Sequence, residues 1–184
     1  MSTERIIFAG FGGQGIMSMG QMIAYAGMIE DKHVTWCPSY GPEMRGGTAN
    51  CSVIISDELI GSPIISHDAN AAVIMNLPSL IKFEKDIISN GILLINSSLI
   101  EKKSSRDDIK TAYIEANKIA EDIGNTKSAN MVMLGALLTL HNIVSFESVQ
   151  KAFLKVFGER KKEFLPSNEK ALNAGRDAVK NIIS

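Results

Sequence analysis

Three glycines, at 10, 12 and 15, punctuate the stretch Gly10-Phe11-Gly12-Gly13-Gln14-Gly15, which follows the apolar run Ile6–Ala9 and leads into a helix-like segment. The spacing G-x-G-x-x-G is that of a dinucleotide-binding turn. Gly10 and Gly12 allow a tight turn and close backbone approach, and Gly15 lets the helix pack near the strand. Free N–H groups at the helix start then face outward with the positive end of the dipole behind them, a seat for a phosphate or another anion. A second stretch, PSYGPEMRGGTA at 38–49, is stiffened by Pro38 and Pro42 and freed to turn by Gly41, Gly46 and Gly47. Arg45 is its only strong cation; its guanidinium can pair bidentately with a phosphate or carboxylate, or form an ion pair with Glu43 or an acid on a neighbouring chain. The candidate anion turn is therefore Gly10, Gly12, Gly13, Gln14 and Gly15, and the candidate ligand or interface loop is Ser39, Tyr40, Gly41, Glu43, Arg45, Gly46 and Gly47.

Other chemistries lack their residues. A dinucleotide site expects an acid at the end of the second strand to hold the ribose hydroxyls. Here that strand runs into Cys37-Pro38-Ser39, and Asp31 precedes it. A phosphate loop is excluded because Ile16-Met17 stands where Lys-Ser/Thr would hold phosphate and magnesium. Cys37 and Cys51 are read as buried thiols, and His33, His67 and His141 are scattered, so no metal site is expected. Two thiolates are too few for a cubane cluster. Glu43 and Asp68 are single carboxylates without an acid–base partner, and Asp68 is read as a loop brace. No catalytic residue is assigned.

The elements that must position these residues alternate. Strands are predicted at Arg5–Ala9, His33–Cys37, Ala49–Ser56, Ala71–Asn76, Gly91–Asn96 and Ala112–Glu115, with a helix from about Gln14 to Glu30 and another opened by Pro78. On the first helix Gly20, Ala24 and Gly27 share one narrow face, which predicts close approach to a sheet. Helices follow at 118–123, 129–143, 146–158 and 168–182, with Ser128, Ser145 and Ser167 or Asn168 as N-caps. The expected fold class is α/β: a Rossmann-like, open, mostly parallel sheet with helices on both faces and a helical C-terminal third, in one domain over residues 1–184. Both candidate loops follow strands and are expected at the carboxyl edge of the sheet. Helix 129–143 is apolar around its whole circumference, so the last two helices or a partner must cover it. Lys102–Asp108 is expected to be the most loop-like stretch and the best candidate for disorder.

Composition narrows the partners. The formal net charge of -1 gives no electrostatic case for nucleic acid. No apolar run reaches the ~18 residues of a membrane span. The segment Met-Ser-Thr-Glu-Arg lacks the features of a signal peptide, and the cysteine usage suits the cytoplasm. Residues 1–80 hold only Arg5, Lys32 and Arg45 as strong cations, a charge-poor half suited to burial against another surface.

The stretches GFGGQGI at 10–16, PSYGPEMRGGTANCSVIIS at 38–56, SPIISHD at 62–68 and NMVMLGAL at 130–137 resemble, in order, the gamma subunit of 2-oxoacid:ferredoxin oxidoreductases. The resemblance implies an enzyme that oxidatively decarboxylates a 2-oxoacid, forms an acyl-coenzyme A and reduces ferredoxin. It implies thiamine diphosphate and magnesium on alpha and beta subunits and iron–sulfur clusters on beta and delta subunits. The role it implies for this chain is coenzyme A handling or assembly; the chain alone is expected to be inactive, and a homodimer of the isolated chain through the surface its partners would cover is expected as well. The loop is most like the 2-oxoglutarate and branched-chain types. A free-standing dinucleotide-dependent dehydrogenase and a pure assembly scaffold remain as alternatives.

Overall fold

The computed structural model describes residues 3–40 and 48–183. Among them, β1 (Thr3–Phe11), β2 (His33–Tyr40), β3 (Thr48–Ser56), β4 (Ala69–Ile74), β5 (Ile87–Asn96) and β6 (Lys110–Ile114) form one sheet in the order β2-β3-β1-β4-β5-β6. Strands β1, β4, β5 and β6 are parallel, and β3 runs antiparallel to both its neighbours, β1 and β2. The expected mostly parallel α/β sheet is present, with one reversed strand. The reversal has a local cause: residues 41–47 are too short a connection for the dozen or more residues of a parallel crossover.

Alternation along the strands feeds two cores. Ile6, Phe8, Val73 and Leu94 face α1 (Ile16–Ile29), α3 (Ala116–Asp122), α4 (Ala129–Leu140), α5 (Phe146–Phe157) and α6 (Leu165–Ile183). Ile7, Ala9, Ile74 and Leu93 point to the opposite face, where α2 (Leu77–Phe83) supplies Leu80 and Phe83, and the connection from β5 to β6 supplies Ile100 and Ile109. Helices cover both faces, unevenly.

Gly20 and Gly27 bring α1 onto the sheet as expected. A methyl at Gly20 would collide with the Cys51 sulfur, and one at Gly27 would lie 2.9 Å from Val34 Cγ2. The all-apolar α4 is buried by its own chain. Gly135 meets the Leu172 carbonyl of α6, and Gly175 of α6 meets the Val132 carbonyl of α4, with no room for a side chain at either place. Thus α6 covers α4, while α5 is tied to the end of α1 by the Ser145 N–H donating to Glu30 Oε1 at 2.7 Å.

Three local expectations need correction. Ser145 caps α5 by accepting the Ser148 N–H at 3.1 Å, but Ser128 does not cap α4; its hydroxyl donates to the Asn125 carbonyl at 2.7 Å. Helix α6 starts at Leu165, and Ser167 and Asn168 instead donate to the Phe164 carbonyl at 2.9 and 2.7 Å. Residues 102–108 form a braced loop rather than a disordered one. Glu84 accepts from the Ser104 hydroxyl at 2.6 Å and from the Ser105 amide at 2.7 Å, while Arg106 donates to the Glu84 and Ile87 carbonyls at 3.1 and 2.5 Å. The polarity that suggested disorder is spent on internal hydrogen bonds.

Candidate functional site

The glycine turn lies where β1 ends. Phe11 closes the strand, Gly12 and Gly13 are exposed, and Gly15 stands just before α1 in the left-handed region, with φ 76°. Gly13 also has positive φ, 91°, and a Cβ there would meet nothing within 4 Å. Only glycine adopts two such conformations so close together at little cost. Gln14 points inward: its Oε1 accepts the Phe11 N–H at 2.6 Å and its Nε2 donates to the Met75 carbonyl at 3.1 Å. Gly15 gives close packing, though not to the strand. A methyl there would strike the Asn130 side chain of α4.

The N-terminus of α1 has no side-chain cap. Its first internal bond runs from the Met19 N–H to the Gly15 carbonyl at 3.0 Å. Gly15 offers no capping side chain, and the first turn, Ile16-Met17-Ser18, holds no acid. The amide groups of that turn and the helix dipole therefore present positive potential beside exposed Gly12 and Gly13.

The second motif belongs to the β2–β3 hairpin. Phe11 is opposite Thr48 in the β1–β3 register, and Tyr40 is opposite Ala49 in the β2–β3 register. The ends of the hairpin thus share the carboxyl edge with the glycine turn. Ser39 is exposed at that end, and the backbone of Tyr40 closes β2. Gly41, Glu43, Arg45, Gly46 and Gly47 lie outside the described residues.

Two buried amides at the same edge escaped the sequence reading. Asn76, 2% exposed, follows β4 and caps α2 by accepting the Ser79 N–H at 2.9 Å. Asn96, fully buried, ends β5 and donates to Asn117 Oδ1 at 2.8 Å. Their signal is a lone Asn closing an apolar run, in VIMN at 73–76 and LLIN at 93–96. The exposed apolar side chains Phe11, Leu77 and Leu99 stand at the ends of β1, β4 and β5 beside them.

The SPIISHD motif lies at the opposite, amino-terminal edge, where β4 begins. Asp68 accepts the Ser66 N–H at 2.8 Å and pairs with Arg5 Nε at 3.1 Å, which is the loop brace expected of it. His67 pairs with Asp86 at 2.6 Å, and His141 with Glu4 at 2.8 Å. Cys51 is buried, and burial pushes its thiol up to about 12. Cys37 is exposed, contrary to expectation, and stands on β2, an edge strand of the sheet.

The dinucleotide alternative loses its geometry here. The acid it requires would have to sit beside β1, but β3 separates β1 from β2 and puts the end of β2 two strand spacings, about 10 Å, away.

A family model described as pyruvate ferredoxin/flavodoxin oxidoreductase matches residues 5–178. The chain belongs to that family. It is 39% identical over 155 residues to the 2-oxoglutarate synthase subunit KorC of Methanocaldococcus jannaschii, an alignment covering 82% of each chain. It is 38% identical over 180 residues to the ketoisovalerate oxidoreductase subunit VorA of Methanothermobacter marburgensis, covering 97% of this chain but 37% of that one. The chain therefore spans little more than a third of the length of VorA. Among solved structures, the gamma subunit of a keto/oxoacid ferredoxin oxidoreductase from Geobacter sulfurreducens PCA superposes with a TM-score of 0.81 at 32% identity, covering 97% of this chain and 99% of that one. The resemblance to gamma subunits of 2-oxoacid:ferredoxin oxidoreductases is borne out along nearly the whole chain. Among the described residues of this family member, no helix is long and apolar enough to cross a membrane.

Proposed function

We propose that this chain works as the gamma subunit of a multisubunit 2-oxoacid:ferredoxin oxidoreductase, closing the coenzyme A side of the site and holding the assembly together. On this reading residues 1–184 act as one domain in the cytoplasm. Alpha, beta and delta partners carry thiamine diphosphate, magnesium and iron–sulfur clusters and pass electrons to ferredoxin. The observation that supports it is the uncapped α1 N-terminus, which shares one sheet edge with the paired ends of β2 and β3. The phosphates of coenzyme A suit the amide groups over Gly12, Gly13 and the first turn of α1. Arg45 is assigned to the same ligand or to the subunit interface. The proposed substrate is 2-oxoglutarate, because the 38–47 loop resembles the 2-oxoglutarate and branched-chain types. Specificity within that class resides in the catalytic subunits.

A scaffold without a ligand is the second reading, favoured by Phe11, Leu77 and Leu99 exposed on that edge. Co-expression with alpha, beta and delta partners separates the two. Ser18→Asp places an acid in the first turn of α1, where it complements the dipole yet repels a phosphate. The expected result is normal assembly with the coenzyme A KM raised about tenfold. Arg45→Ala raises the same KM if the loop binds ligand, and blocks assembly if it is an interface element. Unchanged kinetics in both variants, with assembly intact, would sink the coenzyme A reading and leave the scaffold.

A further inference from the structure

Open α/β sheets bind ligands in a crevice at the carboxyl ends of two neighbouring strands whose following helices leave to opposite faces. That point lies here between β1, followed by α1, and β4, followed by α2. The crevice is bridged by one side chain. The Gln14 carboxamide accepts from the Phe11 amide of β1 at 2.6 Å and donates to the Met75 carbonyl just past β4 at 3.1 Å. Gly10 makes the space for it: a Cβ at residue 10 would lie 2.5 Å from Gln14 Oε1 and 2.8 Å from Met75 Cβ. The first glycine of the motif, which serves the tight turn in a dinucleotide fold, therefore accommodates a side chain of the protein in this crevice.

We infer that Gln14 is a positioning residue that plugs the switch-point crevice and pins the glycine turn to the end of β4. A phosphate-bearing ligand then meets the turn only from its outer side, over exposed Gly12 and Gly13 and the first turn of α1. Gln14 itself does not touch the ligand. Its carboxamide oxygen and nitrogen each make one bond within the protein, and losing these bonds frees the segment Phe11–Gly15 to shift the amide groups that do.

The ligand half of this inference rests on the coenzyme A reading, whereas the plug does not. The test uses Gln14→Ala, with Gln14→Met, which fills similar volume without hydrogen bonding, as a second variant should the first fail to fold. Hydrogen exchange of the Phe11 amide is followed by NMR in the full chain, and coenzyme A and 2-oxoacid kinetics in the co-expressed complex. The expected result is exchange at Phe11 accelerated roughly tenfold or more, and a coenzyme A KM raised roughly tenfold with kcat and the 2-oxoacid KM within about twofold.

Unchanged exchange at Phe11 would overturn the clamp outright. Faster exchange with an unchanged coenzyme A KM, while Ser18→Asp still raises it, would overturn the positioning role and leave the coenzyme A reading standing. If neither variant moved that KM, the coenzyme A reading and the positioning role would fail together. Saturable 1:1 binding of NAD+ to the wild-type chain would show the crevice open and overturn the plug.

Discussion

Cys37 and Cys51 stand on neighbouring strands, yet their chemistry differs because one faces solvent and the other lies under α1. The Cys51 sulfur packs against Gly20 and donates to the Ile16 carbonyl at 3.6 Å. Burial holds its thiol protonated far above neutral pH, so it does not act as a nucleophile. With an aromatic disulfide reagent at pH 8, one thiol is expected to react in the folded chain and both of the two cysteines after denaturation in guanidinium. Two fast thiols in the folded state would show that Cys51 is not buried. Glu84 makes the complementary case. Partial burial raises its pKa, but hydrogen bonds from Ser104 and Ser105 prevail and hold it below the ordinary range. A lowered folded-state pKa stabilises above the unfolded value and is lost as pH falls through the folded one. Protection of the Ser105 amide should therefore be full at neutral pH and be lost only as pH falls below the ordinary glutamate range. Glu84→Gln should remove that pH dependence.

Among the elements, the pairing of α4 with α6 is the most sensitive to a single atom. Gly135 and Gly175 let the two backbones approach until each glycine meets a carbonyl of the other helix. A methyl at Gly135 has only backbone in its way, and backbone cannot rotate aside as a flexible side chain can. Gly135→Ala would gain helix propensity of about 1 kcal/mol. Overpacking against the Leu172 carbonyl, at the upper end of about 1–3 kcal/mol because backbone is what the methyl meets, should outweigh it, for a net loss of about 1–2 kcal/mol. For a chain of this size that corresponds to a fall in Tm of roughly 2–8 °C, measurable by thermal denaturation. A rise in Tm would mean that α6 stands off from α4. The glycines of the β1–α1 turn answer to other demands: backbone sign at Gly13 and Gly15, and space for Gln14 at Gly10.

For the whole molecule, the two edges of the sheet have different work. The amino edge is tied by the Arg5–Asp68 pair and the loop that precedes β4. The carboxyl edge gathers the glycine turn, the ends of the hairpin and three exposed apolar side chains. On the proposed reading, a glycine turn that shares its edge with exposed Phe11, Leu77 and Leu99 suits a surface that closes over a ligand held elsewhere in an assembly. This is why the Ser18→Asp and Arg45→Ala tests belong in the co-expressed complex rather than the isolated chain.

The sequence by itself determined the elements and their order. Apolar runs of strand length, Pro78 at a helix start, Ser145 before α5 and the Gly20–Gly27 face are local signals, and each produced the local structure it predicts. The shared edge of the two motifs was legible for the same reason, since both follow strands. Tertiary structure alone decided that the reversed strand β3 inserts between β1 and β2, because that order depends on pairing between distant residues. It also decided that α6 rather than a partner covers α4, that the polar 102–108 loop is braced by Glu84, and that Cys37 faces outward. Above all it decided the role of Gln14. In the sequence that residue is a spacer between glycines; only the packing of β4 beside β1 brings the Met75 carbonyl within reach of its amide.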